Sequence, residues 1–212
     1  MRTLVIDSAT EACSVAVFDG DALVAGDFQM LGRGHAEQLV PMIAALPERG
    51  RAGRIAVALG PGSFTGLRVG LAAARALALA WDADLVGYPT LALIAAMARA
   101  ERGAQAVAVA TTGGHGEWFV AGYDAAGQAT RALASLPPAE AVVACTEVLV
   151  AGSQAEALVA ARAQKGTQGE ALPLWPDARA FALLPDGELT RDVHPLYGRA
   201  PDARLPGNRR AP

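Results

Sequence analysis

The residues best suited to bind phosphate or a metal ion lie near the N-terminus, in the segment Asp7–Thr10. This segment stands between two short apolar runs, which predict a pair of strands joined by a turn. In such a turn, backbone N–H groups and hydroxyls can hold phosphates, and Asp7 can hold a hydrated Mg²⁺. A turn in which Asp7 and Thr10 only cap backbone N–H groups explains the same residues equally well. The candidate nucleotide-binding residues are Asp7, Ser8 and Thr10, and both interpretations remain open.

A glycine-rich turn, Gly60–Arg68, follows another apolar, strand-like run. It is not a P-loop, because Thr65 stands five residues after Gly60 and no lysine follows. It is not G-x-G-x-x-G, because the third glycine comes one residue late, and it is not a nucleophile elbow, because Pro61 stands two residues before Ser63. Ser63 also has no obvious His and Asp partners. None of these phosphate-binding or hydrolase motifs therefore matches the turn.

The helix predicted after this turn carries a small residue at every fourth position. Such a stripe lets a second helix approach closely, with backbone near backbone. The alternative is that the stripe packs on the protein's own sheet. Arg68 and Arg75 share another face of this helix and need anionic partners or solvent. The stripe consists of Gly66, Gly70, Ala74 and Ala78, with Leu67, Leu71 and Leu77 beside it.

The histidines and cysteines do not form the pattern of a metal or redox site. A helical metal pair would place a second ligand four residues after His35, and that position is Leu39. The other two histidines are isolated. Cys13 and Cys145 are far apart, with no C-x-x-C pair, and are expected to be buried small hydrophobes in a reducing compartment. We predict no metal site and no catalytic residue.

The apolar periodicity predicts two α/β halves. The first begins as a three-stranded antiparallel meander with a hairpin turn at Asp19–Asp21, and continues with a helix from His35. Near Gly103 a strand–turn–strand unit of the same layout follows, which indicates a weak internal repeat. Residues 1–103 are the predicted first half.

Residues 104–212 are the predicted second half, which is shorter in its regular structure. From Tyr197 onward the chain is rich in Pro, Gly and Arg, and we expect an extended, locally basic tail. Its arginines are Arg199, Arg204, Arg209 and Arg210.

Composition limits the class of protein. Hydrophobic residues make up 52% of the 212 residues and charged residues 18%, as in a globular domain. The net charge of −3 argues against nucleic-acid binding by bulk electrostatics. Asp7 and Glu11 interrupt any signal-peptide core, and the apolar stretch Gly66–Trp81 is too short and too charged to span a bilayer. A cytoplasmic protein with no membrane contact is the expectation.

Taken together, these motifs resemble the bacterial TsaB family, also called YeaZ. The N-terminal segment Met1–Ala16 is similar to the start of that family. His35–Pro41 and Gly60–Arg68 are similar to its two other signature segments, and Pro195–Arg199 is similar to its Pro-x-Tyr-x-Arg. The resemblance is dense across the first half of the chain and thin across the second.

The resemblance implies an α/β fold of the actin-like (ASKHA) nucleotidase class, with two RNase H-like halves whose mixed sheets are flanked by helices. It also implies a role in attaching threonylcarbamoyl to N6 of the adenosine next to the anticodon, in tRNAs that read codons beginning with A. In that family the transferase is the paralogue TsaD, which carries the metal-binding His pair, and the ATPase TsaE joins the complex. The chain is then expected to be a non-catalytic scaffold or activating subunit that dimerises with TsaD.

Further expectations about ligands and partners come from the same resemblance. The chain is expected to have no intrinsic cofactor, and any ATP or ADP with Mg²⁺ is expected at the junction with the partner. An isolated preparation is expected to form a homodimer through the docking surface. Contact with tRNA is expected to be indirect, with the basic C-terminal tail as its route.

The family is thought to pair with TsaD through the helices that match those starting near His35 and Gly66 here. Leu39, standing where TsaD has its second His, fits a subunit without the catalytic metal. The predicted docking residues are His35, Glu37, Leu39, Gly62, Ser63, Phe64, Thr65, Gly66, Arg68, Gly70, Leu71, Ala74 and Arg75.

The sequence departs from the family pattern at one turn. The family usually has Asp-Ala-Arg, a variable residue and then Gly-Glu after the second-half strand, whereas Thr112–Glu117 keeps only the Gly-Glu.

The sequence leaves two alternative functions to consider. An ATP-dependent phosphotransferase would use Asp7 and Thr10 with a second phosphate-binding turn at Gly113–Gly116, but that turn lacks acidic residues. A peptidase lacks both a metal pair and a nucleophile–base arrangement in this sequence.

Overall fold

The computed structural model describes residues 1–198 of the chain. Its first sheet has the strand order β3-β2-β1-β4-β5. The first three strands run antiparallel as the predicted meander, while β4 and β5 run parallel to β1. Apart from its first residue, β1 is buried throughout, because it is the central strand and helices or chain segments cover its two faces. The strands are Arg2–Asp7 (β1), Ala12–Asp19 (β2), Ala22–Met30 (β3), Arg54–Ala58 (β4) and Asp84–Tyr88 (β5).

Three helices belong to this part of the chain: His35–Ala45 (α1), Phe64–Trp81 (α2) and Thr90–Arg102 (α3). The predicted start of α1 at His35 agrees with the structure. Pro41 lies inside α1, on its exposed side. The buried residues Leu39, Met42 and Ile43 of α1 recur at helical spacing and pack on β1 and β2.

The second sheet has the order β10-β9-β6-β7-β8, which repeats the order of the first sheet. Its first three strands are again antiparallel and its last two run parallel to β6. The repeated layout predicted from the sequence is thus present, and the fold is the predicted actin-like pair of RNase H-like halves. The elements are Val107–Thr112 (β6), Trp118–Tyr123 (β7), Ala129–Leu136 (β8), Pro138–Ala144 (α4), Leu149–Ala151 (β9), Ala155–Ala163 (α5) and Glu170–Leu172 (β10).

Helix α3 lies between the two sheets. Leu91 and Ile94 pack with the second sheet, whereas Leu93 packs with the first. All three side chains are almost completely buried. One helix therefore contributes to the cores of both halves.

The chain after β10 returns to the first half. Ala178 packs against β1 and β2, Thr190 pairs with Gly87 of β5, and Val193 is buried in the core beneath α1 and α2. This segment, which follows residue 103 in the chain, therefore packs on the sheet of the first half. The predicted basic tail, with Arg199 and the arginines after it, lies outside the described residues.

Candidate functional site

The turn between β1 and β2 is closed by its own hydrogen bonds. The Asp7 carboxylate accepts the Ala9 N–H at 3.0 Å through Oδ1 and the Tyr88 hydroxyl at 3.2 Å through Oδ2. Burial raises the pKa of the Asp7 carboxyl to about 7, although these two hydrogen bonds act to lower it. With both oxygens occupied and no solvent access, Asp7 does not fit the predicted role of a Mg²⁺ ligand.

The glycine-rich turn packs directly on the β1–β2 turn. The Ser8 hydroxyl donates to the Gly66 carbonyl at 2.9 Å, and the Ser63 N–H donates to the Ala9 carbonyl at 2.6 Å. A Cβ on Gly62 would overlap the Ala9 carbonyl, and a Cβ on Gly66 would overlap the Ser8 carbonyl. These glycines therefore let α2 approach the turn closely, so the two sequence motifs form one packing unit.

This packing corrects the prediction of an open helix groove. Gly70 faces Ser8 and the side chain of Ile6, and Ala74, one turn further along α2, is fully buried. The small-residue stripe contacts the protein's own β1 and its turn, because that backbone occupies the space the small residues leave. A Gly70→Leu substitution would strike Ser8 and report on folding instead of docking.

The predicted docking residues fall into two groups. One group is buried inside this chain: His35, Leu39, Gly66, Gly70, Leu71 and Ala74. Gly62 is half-buried against Ala9. The residues that remain exposed are Glu37, Ser63, Phe64, Thr65, Arg68 and Arg75.

His35 has a structural position. Its Nε2 lies 2.9 Å from the Thr10 carbonyl and 3.3 Å from the Ala12 carbonyl, so the ring ties the start of α1 to the β1–β2 turn. Four residues later, Leu39 is fully buried in the first core. Within residues 1–198, no group of three or more His, Cys, Asp or Glu side chains is placed to hold a metal ion.

Within residues 1–198, the outward faces of α1 and α2 carry several exposed apolar side chains. Leu79 is 87% exposed, Val40 61% and Phe64 59%. The guanidinium of Arg68 stacks over the Phe64 ring at 3.6 Å from its centroid. By length and composition α2 could cross a membrane, yet it packs one face on the first sheet. Only 28% of its residues are buried, so the described part of the chain leaves most of this apolar helix exposed.

A cleft of about 360 Å³ lies between the two halves. Thr10 and the start of α2 form one wall, and the β6–β7 turn forms the opposite wall. Of the three candidate nucleotide-binding residues, Thr10 lines this cleft, whereas Asp7 and Ser8 lie behind it. The lining comprises Ala9, Thr10, Glu11, Gly32, Gly62, Ser63, Phe64, Thr112, Gly113, Gly114, His115, Phe119 and Ser135.

The second wall is held by polar contacts between the end of β6 and the two residues before α5. The Thr112 N–H donates to the Ser153 hydroxyl at 3.1 Å, and the Gln154 side chain donates to the Thr112 hydroxyl at 3.0 Å. Across the turn, the Ser135 hydroxyl donates to Glu117 at 2.6 Å. Phe119 and Ser135 were not anticipated, because each sits in an ordinary strand whose position beside the cleft depends on the fold.

The environments of Ser63, Cys13 and Cys145 do not favour a role as nucleophile. Ser63 caps α2, its hydroxyl accepting the Gly66 N–H at 3.3 Å. Cys13 and Cys145 are buried free thiols, as predicted, and burial raises the pKa of Cys13 to about 12. A buried, protonated thiol is a poor nucleophile.

Comparison with known proteins gives a consistent result. A family model described as TsaD, tRNA N6-adenosine threonylcarbamoyltransferase, matches residues 29–183. The tRNA threonylcarbamoyladenosine biosynthesis protein TsaB of Escherichia coli (strain K12) is 38% identical over 128 residues, which are 58% of this chain and 55% of the relative. The chain spans about half the length of the curated relatives it matches.

Two solved structures resemble the whole described architecture. YeaZ from Pseudomonas aeruginosa is 27% identical, with a TM-score of 0.73 over 92% of this chain and 99% of that one. A Pseudomonas aeruginosa protein described as uncharacterized, with similarity to peptidase YEAZ, has the same identity and TM-score over 93% and 99%.

Proposed function

The chain belongs to the TsaD family, tRNA N6-adenosine threonylcarbamoyltransferase, and we propose that it is a non-catalytic subunit that activates a TsaD partner. The reaction would attach threonylcarbamoyl to N6 of the adenosine next to the anticodon, in tRNAs reading codons that begin with A. The similarity to proteins named TsaB supports this assignment within the family. The uncovered apolar face of α1 and α2 is the observation that carries it.

That face has the character of a protein interface. A helix as apolar as α2 is normally covered on most sides, and an exposed apolar patch marks a contact surface. The stacked Phe64 and Arg68 are residue types enriched in binding hot spots. Leu79 and Val40 add aliphatic surface on the outer faces of the two helices. We therefore place the TsaD contact on these outward faces and not on the buried glycine stripe.

The subunit role is further supported by the residues that could carry chemistry. Asp7, Ser63 and both cysteines are engaged or buried within this chain. The nucleotide expected at the subunit junction would meet the cleft wall formed by Thr10 and the β6–β7 turn. Because Asp7 is unsuited to bind Mg²⁺, we propose that the partner provides the metal ligands.

The wider assembly follows from the same proposal. TsaE would join the TsaD pair, tRNA would reach this subunit only indirectly, and the site of action would be the cytoplasm. In the absence of TsaD, a second copy of this chain would cover the apolar face and form a homodimer.

The decisive experiment reconstitutes tRNA modification from purified components and measures threonylcarbamoyladenosine by mass spectrometry. The chain alone should modify no tRNA, and adding it to TsaD and TsaE should raise the yield. Modification by the isolated chain would contradict the non-catalytic assignment. Calorimetry of the isolated chain with Mg-ATP tests the phosphotransferase alternative, which needs binding without a partner.

The docking face has its own test. Leu79→Asp places a charge on an exposed apolar position and should weaken TsaD binding about tenfold or more, while leaving the fold intact. Val148→Asp is the matched control, because Val148 is 65% exposed in the second half. Equal binding by the two variants would place the interface elsewhere.

A further inference from the structure

A second cavity, of about 280 Å³, lies between the C-terminal ends of α4 and α5. Its charged lining residues are Arg162 and Lys165, and no carboxylate stands among the described residues that line it. Two threonines add hydroxyl groups, and the remaining lining is Val142, Val143 and Cys145. The cavity is separate from the cleft between the halves, with which it shares no lining residue.

Arg162 is the unusual member of this group, because it is only 3% exposed. Its guanidinium donates to the Glu147 carbonyl at 2.7 Å and to the Thr146 carbonyl at 3.3 Å. Carbonyls satisfy N–H groups but carry no net charge. Among residues 1–198, no carboxylate forms an ion pair with Arg162. A buried charge of this kind favours an anionic partner.

The carboxylate of Glu147, the residue whose carbonyl binds Arg162, is already engaged. Glu147 pairs with Arg131 at 3.1 Å and also accepts the Thr146 N–H at 2.9 Å. The C-terminal ends of α4 and α5 each contribute about half a negative charge, which together offset about the charge of Arg162 alone. Lys165, exposed at the cavity mouth, adds a full positive charge. The local balance is therefore positive.

We propose that this cavity binds an oxyanion of the phosphate class. Arg162 supplies the buried charge, Lys165 supplies an ammonium that can close over the anion, and the hydroxyls of Thr146 and Thr167 are available as donors. The anion is either free phosphate or a phosphate of an RNA backbone. The RNA source rests on the proposed function, whereas binding of free phosphate does not.

Titration of the ¹⁵N-labelled full chain with inorganic phosphate tests the site. Saturable shifts are expected at the amides of Thr146, Lys165 and Thr167. Lys165 is the only lysine in the chain, so Lys165→Gln removes that ammonium without ambiguity and should weaken binding about tenfold. Arg51→Gln, which removes one exposed positive charge from the first half, should bind phosphate like wild type.

Three outcomes would overturn the proposal: shifts that do not saturate, shifts confined to other residues, or equal affinity in Lys165→Gln and wild type. Arg162→Gln should abolish phosphate binding. This variant is informative only if its amide spectrum is that of a folded protein. If it does not fold, Lys165→Gln still tests the site.

Competition identifies the source of the anion. Displacement of phosphate by unlabelled tRNA assigns the site to an RNA backbone, and retention of phosphate assigns it to the free anion. Leu79→Asp should bind phosphate normally, because its position is remote from this cavity. A failed TsaD interaction and a failed phosphate site are therefore separate results.

Discussion

The two turns that face each other across the cleft occupy equivalent places in two sheets of identical strand order, yet they are built in opposite ways. The first-half turn is buried, with Asp7 and Ser8 hydrogen-bonded inside the chain. The second-half turn is largely exposed at Thr112, Gly114 and His115. Asp7 and Ser8, whose side chains could take part in catalysis, thus serve packing. The β6–β7 turn, which has fewer such side chains, lies exposed at the cleft. Residue type alone does not decide which of two related turns meets a ligand.

The largest expected difference between the turns is a pH effect at Asp7. Its pKa is about 7 in the folded chain and 3.8 in the reference state, so between these pH values the folded state holds a proton that the unfolded state releases. The free energy of unfolding should therefore fall as pH rises through this window, by about 4 kcal/mol in total. Asp7→Asn should remove this contribution.

Urea denaturation from pH 4 to pH 7 measures it. The stability of Asp7→Asn relative to wild type should rise with pH, with Asp21→Asn as the control for loss of one carboxylate. Parallel pH curves for Asp7→Asn and wild type would mean that Asp7 is not held protonated.

The next largest effect is a difference in stability between glycine substitutions in the two walls of the cleft. A Cβ at Gly62 would overlap the backbone of Ala9, whereas a Cβ at Gly114 meets no atom within 4 Å. Gly62→Ala should lower the free energy of unfolding by about 3 kcal/mol, and Gly114→Ala should change it by less than about 0.5 kcal/mol. Chemical denaturation of both variants measures these changes. Equal losses of unfolding free energy would show that Gly62 is not tightly packed against Ala9.

The smallest effect compares two serine hydroxyls. Ser8→Ala leaves the buried Gly66 carbonyl without its 2.9 Å partner and should cost about 1.5 kcal/mol. Ser153→Ala removes an acceptor for the exposed Thr112 N–H, which water can replace, and should cost about 0.5 kcal/mol or less. Thermal unfolding of the two variants measures this difference. A larger loss of stability in Ser153→Ala than in Ser8→Ala would contradict it.

Much of the fold could be predicted because local pattern determines it. The apolar runs and the turn residues placed the strands of the first half and β6, β7 and β9 of the second, and the helical spacing of apolar residues placed α1, whereas β8 and β10 were not predicted. The small residues of α2 correctly indicated a close backbone approach. They could not indicate whose backbone approaches, since the same spacing serves a partner helix or the chain's own Ser8–Ala9 turn.

The site was harder to predict, because its properties depend on distant contacts. The burial of Asp7 depends on Tyr88, which reaches it from β5. Phe119 and Ser135 line the cleft only because the second sheet faces the first, and no local signal marks either residue. The exposed side of α2 could be recognised only from the structure, which shows that the other side packs on the first sheet.

The position of α3 has a consequence for how the molecule can move. Two-lobed proteins commonly close on a ligand by rotating one lobe about a hinge. Here a rotation of either sheet would have to pull Leu91 and Ile94, or Leu93, out of a closely packed interior. We therefore expect the two halves to keep a fixed orientation, and the cleft a fixed width, when the protein binds other molecules. Amide hydrogen exchange should be slowest in α3.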